Sequence, residues 1–149
     1  MYSDPTVVTY ITEHLEPVRV HVREQKDEYQ RLAERYNVQW TPTILVLDPN
    51  GEEHHRFEGF LPSDEFLSQV ALGFAKVAFH RHDYAEAEHR YRDIVERFPS
   101  TDAAPEALYW AGVSKYKASG DASALAATSA AFRDRYQDTT WAKKASVWG

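Results

Sequence analysis

The chain has 149 residues, of which 43% are hydrophobic, 13% aromatic and 27% charged, a balance that supports a packed core and excludes a disordered chain. With 23 acidic and 17 basic residues the formal charge is −6, which repels a phosphate backbone or an anionic bilayer, so neither a nucleic-acid nor a membrane partner is expected. There is no cysteine, so this chain alone can form no disulfide, hold no thiolate-bound zinc and carry out no thiol–disulfide exchange.

Met1-Tyr2-Ser3-Asp4-Pro5 lacks the basic and apolar regions of a signal peptide, and no stretch approaches the roughly 18 apolar residues that cross a bilayer. A soluble, cytoplasmic chain is therefore expected. Residues 5–15 predict an amphipathic helix, because Val7, Val8, Ile11 and Leu15 recur at helical steps behind Asp4 as N-cap and Pro5. Residues 17–23 alternate, with Val18, Val20 and Val22 on one face, and predict a strand. Tyr29, Leu32, Ala33 and Tyr36 place a second helix over 25–36. Ile44-Leu45-Val46-Leu47 is apolar on both faces, the pattern of a strand buried within a sheet. Asp48-Pro49-Asn50-Gly51 turns the chain, and residues 53–60 return as an edge strand whose only bulky apolar residues are Phe57 and Phe60.

A helix opens at Ser63, the expected N-cap, with Asp64 and Glu65 favouring its dipole. Phe66, Val70, Phe74 and Val77 form one apolar stripe over 63–81, and Leu67, Ala71, Ala75 and Ala78 form another, so both sides should be buried. No strand pattern follows. Phe74-Ala75 and Trp110-Ala111 stand 36 residues apart, and Arg97-Phe98 and Arg135-Tyr136 stand 38 apart. Such periods indicate stacked helical hairpins.

Residues 31–70 resemble the C-terminal half of thioredoxin-like domains. The resemblance rests on Leu32-Ala33-Glu34-Arg35-Tyr36-Asn37-Val38, Trp40-Thr41-Pro42-Thr43, the strand 44–47, Asp48-Pro49-Asn50-Gly51 and Gly59-Phe60. It implies an α/β thioredoxin-like fold, here incomplete, in which the Thr41–Pro42 bond is cis and Thr41 offers its backbone to an extended peptide. It also implies that the family's Cys-x-x-Cys falls about forty residues before Pro42, at or just before Met1. The strand preceding that motif sits in the family at the centre of the sheet, beside the one matching 44–47. Without it, residues 44–47 are expected to pair with 18–22 in parallel or to join a second chain as a homodimer. Residues 66–148 resemble tetratricopeptide repeats, an all-α region, with Ala75, Ala87, Tyr91 and Pro99 at that family's small, small, aromatic and proline positions and extra residues at 118–124.

Seven histidines raise the question of a metal. His80 and His82 flank Arg81, Glu86 and His89 form a Glu-x-x-His, and the adjacent His54 and His55 should point to opposite faces of a strand. No second Glu-x-x-His falls on a helical pattern and solvated surface is the default, so no metal site and no cofactor are expected. Neither a Gly-x-Ser-x-Gly elbow nor a glycine-rich phosphate loop is present. Trp110 reads as core, Trp40 as either core or a peptide-groove residue, and Trp148 as a third-repeat stub or disordered.

The domain division is 1–72, partial thioredoxin-like, and 63–149, tetratricopeptide-like, sharing the helix 63–81. The leading function is non-catalytic protein binding, with Trp40, Thr41 and Pro42 as peptide-binding residues and no catalytic residue. The alternatives are the C-terminal portion of a thiol–disulfide oxidoreductase whose Cys-x-x-Cys lies upstream, and a structural assembly subunit.

Overall fold

The computed structural model describes residues 3–149. Helix α1 spans Pro5–His14, and the Asp4 carboxylate accepts the Thr6 N–H at 2.9 Å. Val7 is fully buried against the next long helix but one, α3 (Ser63–His80). Ser63 is not the cap of α3. Pro62 takes that place, and the Ser63 hydroxyl donates instead to Asp4 at 2.5 Å, tying the starts of α1 and α3 together.

The strand expected over 17–23 does not form. Residues 15–21 have no regular structure and Val18 is 86% exposed. A strand is held by its ladder, and no described segment lies alongside to complete one; alternation of valines cannot supply the partner. Helix α2 (Lys26–Tyr36) ends on Asn37 in the left-handed conformation and buries no residue completely. It is held at its C-terminal end, where the Tyr36 hydroxyl donates to the Gly51 carbonyl at 2.9 Å and Arg56 donates to the Tyr36 carbonyl.

Strands β1 (Thr43–Leu47) and β2 (Glu53–Glu58) form an antiparallel hairpin with Thr43 opposite Glu58 and Val46 opposite His55. Among the described residues this is the whole sheet. Leu47 then stands opposite Glu53, so His54 is an extra residue on β2, a β-bulge. Ile44 and Val46 face α3, where Val46 meets Gly73, while Leu47 is 38% exposed. The expected burial on both faces of β1 is thus found on one, because α3 covers a single side. β2 stops at Glu58, since Gly59 takes φ +87°, and Phe60 lies beyond the ladder.

Helix α3 is unbroken and carries two cores. Phe66, Leu67 and Val70 join Val7, Ile44 and Phe57 in one; Leu72, Ala75 and Ala78 join the other, toward the C-terminus. That second core is made with α4 (Tyr84–Arg97), α5 (Ala103–Ser119), α6 (Ser123–Asp134) and α7 (Thr140–Ala145). Ala75, Ala87, Tyr91 and Ala111 are buried between these helices, the three alanines allowing close approach. Trp110 packs at the margin of the core against Phe79, and Trp148 is ordered, stacked on Tyr109 at 4.7 Å between centroids. No described helix is long and apolar enough to cross a membrane.

Candidate peptide-binding site

Trp40, Thr41 and Pro42 form one exposed turn between α2 and β1. The Thr43 hydroxyl donates to the Trp40 carbonyl at 2.6 Å, and the Thr41–Pro42 bond is cis. The Gly59 N–H donates to the Pro42 carbonyl at 2.9 Å, closing the end of the hairpin. Gly59 has positive φ, so a residue with a side chain would be strained there. Trp40 is 66% exposed and Phe60, at the same end of the hairpin, is 72% exposed. Two large apolar rings in water beside one turn are an unusual surface feature. Phe60 drew no functional notice in the sequence, where it read as part of β2.

The register fixes which backbone groups of β1 are free. Hydrogen-bonded and non-hydrogen-bonded pairs alternate along an antiparallel ladder. Pro42 accepts from Gly59, so Ile44 and Val46 are the residues bonded to β2. The N–H and C=O of Thr43 and Leu45 therefore point to the opposite edge, where no described strand pairs with them. Beside this turn the inner side of α2 is also open. Val22, Tyr29, Ala33 and Val38 line a groove of about 750 Å³.

Arg56, on β2, ties the hairpin to the end of α2. Its side chain binds the Tyr36 carbonyl and the Glu53 carboxylate, and that hydrogen bond keeps the Glu53 carboxyl below the usual carboxylate range. Neighbouring titratable groups are arranged differently from the sequence expectation. His54 and His55 both face α3: His55 Nε2 lies 2.7 Å from Gln69 Oε1, and His54 Nδ1 lies 2.8 Å from His80 Nδ1. The bulge turns His54 to the side that strict alternation assigns to its neighbour, and it is buried rather than solvated. Glu86 pairs with Arg90 at 2.7 Å, and His89 is exposed.

Residues 2–72 match the family of thioredoxin-like domains. Thioredoxin Y, chloroplastic, of Oryza sativa subsp. japonica is 37% identical over 57 residues, which make up 37% of this chain and 33% of that protein. The chain thus spans about a third of the length of the curated relative it matches. No solved structure matches it. The chain has a thioredoxin-like domain at its N-terminus and a largely helical remainder.

Proposed function

We propose that this thioredoxin-like domain serves as a non-catalytic module that binds an extended segment of a partner protein at Trp40, Thr41 and Pro42. The reading is carried by the open edge of β1, where Thr43 and Leu45 offer unpaired backbone groups beside the exposed rings of Trp40 and Phe60. An added strand gains main-chain hydrogen bonds along such an edge and specificity from flanking side-chain contacts. The helical remainder is proposed to be tetratricopeptide-like, supported by the burial of Ala75, Ala87 and Tyr91 and by Pro99 directly after α4. The proposed division is 1–72 and 63–149 with a shared helix.

A panel of ten-residue peptides, followed by amide shifts of the 15N-labelled chain, tests the reading. An extended apolar peptide should move the amides of Thr43 and Leu45, and Trp40→Ala should weaken it about tenfold, as expected for an aromatic anchor. Leu45→Pro should fold, because its N–H is not used by β2, yet abolish binding. Peptides that bind only the helical remainder would overturn this assignment. A dimer that dissociates in Leu45→Pro would make a second copy of the chain the occupant.

The match to thioredoxin Y favours a second reading. On it the chain is the C-terminal portion of a thiol–disulfide oxidoreductase, and the cysteines come from a segment outside this sequence. An in-frame coding segment upstream with a strand and Cys-x-x-Cys sustains it; a stop codon directly before the first codon sinks it.

A further inference from the structure

His54, the extra residue of the β-bulge, has a side chain only 4% exposed. Its Nε2 lies 3.1 Å from Asp48 Oδ2, and its Nδ1 lies 2.8 Å from His80 Nδ1 in the last turn of α3. The Asp48 side chain is 7% exposed, and its Oδ1 accepts the N–H groups of Asn50 at 2.8 Å and Glu52 at 3.1 Å. Glu52 lies exposed at the rim, with a carboxylate oxygen within 4.8 Å of ligand atoms of both Asp48 and His54. Lys76, one turn before His80, is engaged with Glu106 at 2.9 Å and with His55.

We propose that Asp48, Glu52 and His54 form a binding site for a divalent transition-metal ion, with His80 positioning the His54 ring. Donor atoms about 2.0–2.2 Å from a tetrahedral ion stand roughly 3.3 Å from one another. Asp48 and His54 already have that spacing, so only the exposed Glu52 side chain has to close. One imidazole nitrogen, two carboxylate oxygens and a position left for water suit tetrahedral Zn²⁺ better than Ca²⁺, which takes six to eight oxygens. The ion takes the place of the single proton on His54 Nε2, that proton passes to His54 Nδ1 so the neutral ring keeps one N–H, and His80 holds its own proton on Nε2. His80 Nδ1 is placed to accept the His54 N–H, the outer contact that a metal-ligating histidine normally makes. The bound ion would pin the β1–β2 turn to the end of α3.

Calorimetric titration of the full chain with Zn²⁺ alone, together with 15N spectra of the histidine rings, tests this. One Zn²⁺ should bind per chain, moving the His54 Nε2 resonance, and excess Ca²⁺ should not displace it. Glu52→Gln, an exposed change that leaves the far-ultraviolet circular dichroism unaltered, should weaken binding at least about tenfold. His80→Leu should weaken it by about tenfold, the lower end for loss of an outer partner, whereas His80→Gln, which keeps an acceptor, should restore it. Zn²⁺ binding that is unchanged in Glu52→Gln, or that moves only the His82 and His89 resonances, overturns the site. So does the absence of binding at millimolar Zn²⁺.

Discussion

Gly73 stands where α3 crosses the hairpin, and a Cβ built on it would lie 2.7–2.9 Å from three atoms of the Val46 side chain. Glycine inside a helix ordinarily costs about 1 kcal/mol relative to alanine. Here the sign reverses. Gly73→Ala should destabilise by about 1–3 kcal/mol through overpacking, measured by urea denaturation, and Val46→Ala in the same chain should recover part of the loss. Asp4 is a second residue with two duties, capping α1 and accepting the Ser63 hydroxyl. The hydroxyl first, and then the Thr6 N–H, lower its carboxyl below the ordinary value. A carboxyl whose folded value is lowered contributes stability above its unfolded value and loses it as pH falls through the folded one. Asp4→Asn should therefore flatten the acid limb of the stability profile below about pH 4, the ordinary carboxylate range. Thermal melts at pH 3 and pH 6 check this.

Among the elements, α3 has one face in each core. Phe66 is 3% exposed and meets Phe57 edge-on at 5.6 Å, so Phe66→Ala should cost about 3–5 kcal/mol. Phe74 is only half-buried, with the Arg90 guanidinium 5.7 Å from its ring centre. Phe74→Ala should cost about 1–3 kcal/mol, less than burial between two tightly packed halves would imply; guanidinium melts of both variants give the ranking. The two apolar sides of α3 were legible because helical periodicity is a local property of 18 residues, although Leu67 joins the core of Phe66 and the enclosed Leu72 stood in neither stripe. The positions of α1, α2 and β1 were legible from equally local patterns, whereas the turn around Pro42 was expected from the resemblance to thioredoxin-like domains. The valines at 18, 20 and 22 misled because a strand depends on a neighbour its own sequence does not encode. His54 misled because a single extra residue in β2 cancels the alternation from which its direction was read.

Across the whole molecule, firmness is unevenly spread. Among the described residues α2 buries none completely and is anchored only near Tyr36, whereas Leu72, Tyr91 and Ile94 are wholly enclosed. In native-state hydrogen exchange, α2 amides should open at low free energy and α4 amides only with global unfolding. Equal protection of the two would show that α2 is covered in solution by something else, such as a second chain. The likeness to thioredoxin-like domains ends at residue 72, partway along α3. Phe74, two residues later, and Phe98, at the end of α4, both pack against the core that α1 and the hairpin share. Ancestry and mechanics therefore draw their boundaries in different places. As a unit of recombination, residues 2–72 could not be shuffled into another gene as a self-sufficient cassette, because α3 would be severed between its two cores. Residues 2–72 produced alone would leave Phe66, Leu67 and Val70 without the cover that Phe74 and Phe98 give them.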